Sequence, residues 1–367
     1  MGFLKKVITI NIPGREVSDY TPEDFGGIRE EKTVCVIRYG AFGDTLQASS
    51  ILPLLKEQGY RVCVNVTEVG KDILSSNPYV DEILFQTTKM IPENELTEYW
   101  KHFDNIFDKV IQLSESIENS LLVMPDRVSR LRNGDKIAVK GDPRFNLDKD
   151  TLHEECNVNY MERTHDIAGV PHIFSPKFYP LDSEKKIARD FRRSIREKHV
   201  ILWSLSGSSV HKVYPWTDNV INKVLKYRPD VCFVTVGDEL CKLLEQGWEK
   251  EDRIITKSGN WSIRETLSFL DHCSIVIGPE TGVLNAASTM KCHKIVMLSH
   301  SSKENLSKYW NNTSSLEPDH YDNFCFPCHK MHYGFDTCNR DSETGGAMCA
   351  AKINPNDVYN RIVKNLI

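Results

Sequence analysis

Short apolar runs rich in β-branched residues recur along this chain, and segments with helical spacing separate them. Two series are present, at 33–38, 61–66, 82–85 and 109–113, and again at 200–205, 231–236, 275–277 and 294–298. Strands that alternate with helices pair in parallel, because the chain must cross one face of the sheet before it adds the next strand. The alternation therefore predicts two doubly wound, Rossmann-like α/β domains.

The length of the chain agrees with more than one domain. It has 367 residues, which exceeds the size at which a single hydrophobic core usually stops growing. We expect an N-terminal extension at 1–30, a first Rossmann-like domain at 31–180 and a second at 181–320. A cysteine-containing finger at 321–352 and a C-terminal helix at 353–367 complete the chain. Two such domains predict a cleft lined by the carboxyl ends of their strands.

Charge and hydropathy limit the classes of function. The formal net charge is -5 at pH 7, so binding to nucleic acid is not expected. No run approaches the roughly 20 apolar residues that span a bilayer, and Lys5 and Lys6 interrupt the short apolar run at the start. We expect a cytoplasmic protein without a transmembrane segment, in which the cysteines are thiols or metal ligands.

The loop after the first strand carries a candidate general base. It reads Arg-Tyr-Gly-Ala-Phe-Gly-Asp-Thr at 38–45 and lies where open α/β sheets bind ligands. Asp44 would repel a pyrophosphate at the start of the next helix, but a carboxylate over a cleft suits proton removal from a hydroxyl. Gly40, Gly43 and Thr45 complete this acceptor-side loop. The alternative is that Asp44 only caps the helix as its N-cap, and the spacing alone favours that alternative.

The loop after the strand at 200–205 has the composition of a phosphate site. Ser206, Gly207 and Ser208 offer backbone N–H and hydroxyl donors, and Lys212 adds a positive charge. Taken alone, this loop is better explained as a polar turn with a solvated lysine.

A glycine-rich turn at 278–282 is the second candidate for an anion site. A strand ends here and a helix begins near Thr281 or Gly282, so backbone N–H groups and the helix dipole favour a diphosphate. Glu280 does not suit a phosphate, but its carboxylate can accept hydrogen bonds from sugar hydroxyls. A turn without a ligand explains these residues equally well.

A group of cysteines near the C-terminus has the spacing of a metal site. The segment contains four of them, Cys325, Cys328, Cys338 and Cys349. The first pair forms a C-x2-C knuckle, which places two soft ligands on one turn. Four thiolates suit Zn or Fe about equally, and His329 and His332 are close enough in sequence to replace one ligand. Four thiols without a metal are the alternative.

Together these motifs resemble those of glycosyltransferase family 9, the ADP-heptose:lipopolysaccharide heptosyltransferase family. The resemblance runs from about Thr33 to the C-terminus, and the segments at 38–53, 77–82, 211–216 and 278–287 carry it. It implies the GT-B architecture, in which two Rossmann-like domains face a cleft. The four-cysteine finger is similar to the cysteine-ligated iron site of autotransporter heptosyltransferases, which modify protein side chains.

The resemblance also implies roles for individual residues. Asp44 corresponds to the general base, Lys212 to the lysine that binds the donor phosphate, and the turn at 278–282 to the donor loop. Glu239, or Asp238 beside it, corresponds to an acidic residue near the nucleoside. Two departures lie in the donor loops: Asn285 stands where the family has a histidine, and the lysine segment reads Lys-Val-Tyr-Pro-Trp.

We therefore expect an inverting glycosyltransferase that moves a sugar, heptose first, from a nucleoside-diphosphate sugar, ADP-heptose first, to an acceptor hydroxyl on a protein or glycan. Lys212 and the two donor loops hold the leaving diphosphate. No D-x-D motif is placed to bind a catalytic divalent metal, so the Zn or Fe of the finger is expected to be structural and remote from the reaction. The alternatives are a GT-B enzyme with another donor and a non-catalytic nucleotide-sugar-binding subunit. A homo-oligomer is compatible with the sequence.

Overall fold

The computed structural model describes residues 6–9, 31–86, 100–114, 149–318, 325–329 and 338–366, with 6–9 as backbone only. These residues belong to two compact units. The first unit contains 6–9, 31–86, 100–114 and 158–179, and the second contains 149–157 and the described residues from 180 onwards. The segment 149–157, which the sequence analysis placed in the first domain, thus packs with the second.

The first unit is built on a five-stranded parallel sheet. Its strands are β1 (Lys6–Thr9), β2 (Thr33–Arg38), β3 (Arg61–Thr67), β4 (Glu82–Gln86) and β5 (Lys109–Gln112). Their order is β1-β4-β3-β2-β5, and every neighbouring pair is parallel. The middles of β2 and β3 are buried on both faces, because helices cover both sides of the sheet. β1 lies in the predicted N-terminal extension, and its four residues are too few to show a periodicity.

The helices of the first unit surround this sheet. They are α1 (Phe42–Ala48), α2 (Leu52–Glu57), α3 (Glu68–Leu74) and α5 (Tyr160–Ala168), while α4 (Lys149–Cys156) belongs to the second unit. Two helices follow β2, and a 3-10 turn at Ser49–Ile51 separates them. Pro53 lies in the first turn of α2, where its missing N–H costs no helical hydrogen bond.

The second unit contains a six-stranded sheet with Rossmann order. Its strands are β6 (His199–Ser204), β7 (Val231–Val236), β8 (Ile254–Thr256), β9 (Ile275–Pro279), β10 (His293–Met297) and β11 (Thr313–Leu316). The order is β11-β10-β9-β6-β7-β8, with all pairs parallel. The direction of winding reverses between β6 and β9, and such a switch point is where doubly wound sheets bind ligands. The short strands β8 and β11 were not predicted.

Helices cover both faces of the second sheet. They are α6 (Asp182–Ser194), α7 (Thr217–Tyr227), α8 (Ile263–Phe269), α9 (Gly282–Ala287), α10 (Lys303–Leu306), α11 (Met348–Ala351) and α12 (Pro355–Asn365). Val358 and Ile362 of α12 are fully buried in a core cluster that includes Trp203 and Phe233. The C-terminal helix is therefore an integral layer of this unit. Within the described ranges, every helix is too short or too polar to cross a bilayer.

Candidate functional site

The carboxyl end of β2 holds Asp44 in a defined orientation. Arg38 Nη1 donates to the Leu113 carbonyl at 3.0 Å, and Arg38 Nη2 lies 3.2 Å from Asp44 Oδ1. The Arg38 side chain is only 4% exposed, whereas that of Asp44 is 31% exposed. A buried guanidinium, itself anchored at the end of β5, thus orients a carboxylate that still reaches solvent.

The predicted N-cap role of Asp44 is wrong in detail. Ala41 is the N-cap of α1, and Asp44 lies at the third helical position, where its Oδ2 accepts the Ala41 N–H at 2.7 Å. Gly40 makes this return possible, since its φ is 147° and a Cβ there would run into the Asp44 carboxylate. One oxygen of Asp44 therefore stabilises the helix start and the other pairs with Arg38.

The other residues of the predicted acceptor-side loop are not equally placed. Gly40 is exposed, but Gly43 and Thr45 are buried. A Cβ on Gly70 of α3 would lie 3.2 Å from Thr45 Oγ1, so Thr45 packs against that helix. Gly43 and Thr45 therefore form the buried part of the loop, and Gly40 and Asp44 form its accessible part.

In the second unit, the two predicted donor loops meet at the switch point. Ser204 Oγ at the end of β6 lies 3.3 Å from Thr281 Oγ1. A Cβ on Gly278 of β9 would lie 2.7 Å from the Ser204 carbonyl oxygen, so only glycine allows the two strand ends to approach this closely. The tertiary structure thus joins two motifs that are more than 70 residues apart in the sequence.

The Lys212 side chain lies at the same switch point, beside Gly207 and Thr281. This residue ends the 3-10 turn Val210–Lys212. A Cβ on Gly207 would lie 2.7 Å from Lys212 Cδ and 3.4 Å from Thr281 Cγ2, so the lysine stem crosses Gly207 beside Thr281. Ser208 of the same loop is exposed. Backbone, hydroxyl and ammonium donors are therefore brought together here, as a phosphate group requires.

Two residues near this loop have different surroundings. Ser206 Oγ lies 2.9 Å from Cys241 Sγ, which ties its hydroxyl to the 3-10 turn after β7. Glu239 begins that turn, with its side chain 72% exposed and 2.7 Å from Lys242 Nζ. Asp238 accepts the Cys241 N–H at 3.1 Å and caps the turn. Both predicted acidic residues are exposed, and each contacts another residue of this turn.

Glu280 points into the unit and is only 6% exposed. Its Oε1 accepts the N–H groups of Ser299, at 2.7 Å, and Ser301, at 3.1 Å, and its Oε2 contacts His300 Nδ1. Burial alone raises the pKa of this carboxyl, but His300, Lys212 and the Ser299 N–H outweigh burial and leave the pKa lowered. Contrary to expectation, Glu280 binds protein groups and presents no oxygen to a sugar hydroxyl.

His211 and His300 were not predicted from the sequence as site residues. Both are buried beside Glu280, with their ring centroids 4.9 Å apart. His300 belongs to the hydroxyl-rich run Ser-His-Ser-Ser that follows β10 at the same edge of the sheet. The signal that selected Ser206 to Ser208, polar residues after a buried strand, is present there too.

The four cysteines lie near one another in the second unit. All eleven cysteines of the chain fall in its described parts, and none forms a disulfide. Burial raises the pKa of Cys338 to about 11, with Cys325 as a second cause, and burial raises the pKa of Cys349 further, with help from the other three thiols. Such thiols ionise when a cation neutralises them, so the donor set fits a thiophilic ion.

The structure does not support His329 as a replacement ligand. Its ring is buried and its Nε2 lies 2.8 Å from Nδ1 of His153 on α4. His332 lies outside the described residues. Among the residues that are described, no three cysteine sulfurs lie within 4.8 Å of one another, so metal binding requires the thiols to draw closer.

The cysteine segment is not remote from the donor loops. Trp216 Nε1 donates to the Ala351 carbonyl at 2.8 Å, and the Tyr214 hydroxyl donates to the Ile353 carbonyl at 2.9 Å. On the other side, the His329 N–H donates to the His300 carbonyl at 2.9 Å. The bonds from Trp216 and Tyr214 thus join 351–353 to the residues that follow Lys212, and the His329 bond joins the cysteine segment to the loop after β10.

Comparisons with known proteins give matches in structure only. No protein-family model matches the sequence, and no curated protein matches it. A family 9 glycosyl transferase from Veillonella parvula is 13% identical with a TM-score of 0.63, covering 91% of this chain and 97% of that chain. The E. coli ADP-heptose lps heptosyltransferase II is 13% identical with a TM-score of 0.58, covering 91% and 98%.

A third similar structure contains iron. The dodecameric iron-containing heptosyltransferase TibC, in complex with ADP-D-beta-D-heptose, is 16% identical with a TM-score of 0.54, covering 92% of this chain and 77% of that chain. TibC comes from enterotoxigenic E. coli. At these identities the likeness establishes the fold. The predicted fold class, α/β with two Rossmann-like units of the GT-B type, is confirmed.

Proposed function

We propose that this protein is a glycosyltransferase that uses a nucleoside-diphosphate sugar. The observation that carries the proposal is the meeting of Lys212, Gly207 and Thr281 at the switch point of the second sheet. This is the edge at which doubly wound folds bind nucleotides. Similar structures include heptosyltransferases with ADP and ADP-heptose, so ADP-heptose is the first candidate donor and heptose the first candidate sugar.

The proposed reaction inverts the configuration at the anomeric carbon. Asp44 accepts the proton of an acceptor hydroxyl while the hydroxyl oxygen forms a bond to that carbon. The bond from the carbon to the diphosphate oxygen breaks on the opposite face, and both of its electrons leave with the diphosphate. Arg38 keeps the Asp44 carboxylate oriented for this step.

The leaving diphosphate gains negative charge as this bond breaks. Lys212 supplies a positive charge, and the exposed hydroxyl and N–H groups around Ser208 supply hydrogen bonds, so the site stabilises the leaving group where charge develops. Glycine is needed at position 207, because a side chain there would displace the aliphatic part of the Lys212 side chain. The exposed carboxylate of Glu239 is the candidate partner for the nucleoside.

Cys325, Cys328, Cys338 and Cys349 are the residues that would hold a Zn or Fe ion. Such an ion would supply structural cross-linking of the segment to the unit. Trp216 and Tyr214 donate hydrogen bonds to this part of the chain, so an ion that rigidifies the segment also restricts the motion of the Lys212 loop. No chemical step is assigned to the ion.

The acceptor class follows from the finger. Because the four-cysteine finger resembles the iron site of autotransporter heptosyltransferases, which modify protein side chains, we place a protein hydroxyl ahead of a glycan. An iron-containing structural neighbour is dodecameric, so we include a homo-oligomer in the proposal. A cytoplasmic location remains a prediction from the sequence.

The test is a panel of nucleotides and nucleotide sugars. We expect ADP and ADP-heptose to raise the melting temperature, since a ligand stabilises the state that binds it, and ADP-heptose to release ADP when an acceptor is present. A shift with UDP or GDP sugars instead would support the alternative donor. Binding without nucleotide release for any acceptor would support the non-catalytic alternative, and no shift with any nucleotide would reject the proposal.

A further inference from the structure

A second cluster of metal-ligating side chains lies in the second unit. His211, Glu280 and His300 each offer one ligand atom, and these three atoms lie within 4.8 Å of one another. The three residues are 2%, 6% and 5% exposed. They come from three separate turns, namely the 3-10 turn before α7, the turn after β9 and the loop after β10. Neither the motifs nor the proposed function explains why they converge.

The surrounding hydrogen bonds hold two of these side chains so that Oε2 of Glu280 and Nδ1 of His300 face each other. Ser299 and Ser301 donate to Oε1 of Glu280, which leaves Oε2 directed at His300 Nδ1. The other ring nitrogen of His300, Nε2, lies 3.3 Å from the Ser301 hydroxyl. Metal ligands in proteins are held in this way, with the atom that does not bind the ion hydrogen-bonded to a neighbour.

The chemistry of the donor set defines the class of ion. Two imidazole nitrogens and one carboxylate oxygen are the ligands of many catalytic Zn sites and of non-haem Fe(II) sites. Two neutral imidazoles and one carboxylate carry a single negative charge, so a bound divalent ion leaves one net positive charge at the site. We propose that His211, Glu280 and His300 bind a divalent transition-metal ion, separate from the ion expected at the four cysteines.

Such an ion would join the three turns around the donor loops. His211 precedes Lys212, Glu280 precedes Thr281, and Lys212 is close enough to act electrostatically on Glu280. An ion here places a second positive charge beside that of Lys212, which suits an anionic ligand. The metal site itself does not depend on the proposed transferase activity, because it is defined by its ligands alone.

The test is the metal content of the purified, Zn-loaded full chain, measured by inductively coupled plasma mass spectrometry after removal of loose ions. We expect two Zn per wild-type chain. His211→Asn should retain one, and the double variant Cys325→Ser, Cys328→Ser should also retain one, because the sites are separate. His272→Asn, which changes a histidine of the same unit outside the cluster, should retain two.

Cobalt distinguishes the two sites by spectrum. In the double cysteine variant loaded with Co²⁺, we expect visible ligand-field bands of nitrogen and oxygen ligation without the intense thiolate charge-transfer bands. Those bands should disappear when His300→Gln is added. A folded His211→Asn variant with wild-type metal content overturns the proposal, as does a double cysteine variant that binds no cobalt while keeping its circular dichroism. The cluster would then be a buried Glu280–His300 ion pair.

Discussion

At the scale of single residues, the candidate site depends on groups that have two functions at once. Asp44 caps α1 through Oδ2 and pairs with Arg38 through Oδ1. The cap and the general base were alternatives in the sequence, but the structure is compatible with both, because the carboxylate remains partly exposed. Glu280 shows the opposite outcome, since its side chain is buried and its oxygens face protein groups.

Asp44→Asn should leave the protein folded and abolish transfer. The amide oxygen can still accept the Ala41 N–H, so the helix start is preserved, although the amide nitrogen then faces Arg38 and the ion pair is lost. An amide does not accept a proton from the acceptor hydroxyl. We expect turnover to fall by about 10²–10⁴, the usual contribution of a general base, with the melting shift caused by ADP unchanged.

The matched control is Asp166→Asn, which removes an exposed carboxylate of the same unit. It should retain wild-type turnover. Turnover near the wild-type rate in Asp44→Asn would rule out the base assignment, whereas loss of the ADP shift would show that the variant affects more than catalysis.

At the scale of elements, the start of α6 shows how helices are attached to one another in the second unit. Glu184 accepts the Leu181 N–H at 2.7 Å and so satisfies the backbone donor at the N-cap of α6. It also binds Arg264 of α8 through two bonds of 2.6 and 2.8 Å, with both side chains about 15% exposed. The Glu184 carboxylate therefore accepts a hydrogen bond at the start of α6 and links this helix to α8 through Arg264.

Glu184→Gln should destabilise the second unit in a pH-dependent way. Burial raises the pKa of Glu184, but the bonds from Arg264 and the Leu181 N–H outweigh burial and leave the pKa lowered. A lowered carboxyl pKa stabilises the folded state above the ordinary value and loses this effect as the pH falls through the lowered pKa. At pH 7 we expect the variant to lose roughly 1–3 kcal/mol of its free energy of unfolding, which is typical of a hydrogen bond to a charged group.

Urea unfolding of wild type and Glu184→Gln at a series of pH values measures this effect. The difference in free energy of unfolding between the two proteins should be constant above about pH 5. It should shrink below the ordinary glutamate pKa of about 4.3. Lys185→Gln is the control, because its ion pair with Asp182 is exposed. A difference between Glu184→Gln and wild type that does not change with pH would show that shape, not charge, causes the loss.

At the scale of the whole molecule, the chain ends in the unit that carries the donor loops. α12 lies in the core of that unit, and the cysteine segment before it is bonded to the Lys212 loop and to the loop after β10. An ion at the cysteines would therefore act on two loops that the sequence separates from it by more than 20 residues.

The double variant Cys325→Ser, Cys328→Ser should lower the melting temperature and weaken the further shift caused by ADP. Loss of a bound ion removes its binding free energy from the folded state, and each kcal/mol corresponds to roughly 2–4 °C for a unit of this size. Differential scanning fluorimetry with and without ADP measures both effects. Cys292→Ser, outside the segment, should change neither. An unchanged ADP shift in the double variant would show that the segment does not order the donor loop.

Most of the fold was predictable because strand periodicity is local. Runs such as 33–38 and 231–236 are long enough to show buried β-branched residues, and alternation with helices requires parallel pairing. The strands β1, β8 and β11 were missed, since three or four residues carry too little pattern and their pairing comes from neighbours far away in the sequence.

Local sequence patterns were sufficient to predict the fold class and the glycine-containing turns at the strand ends. They also selected Asp44, Lys212 and the four cysteines as candidates. The packing of distant segments was needed to show that Glu280 faces His300, that Gly207 and Thr281 flank Lys212, and that the cysteine segment contacts these loops. This difference arises because backbone preference depends on neighbours in the chain, whereas hydrogen-bond partners and burial depend on which strand ends the sheet brings together.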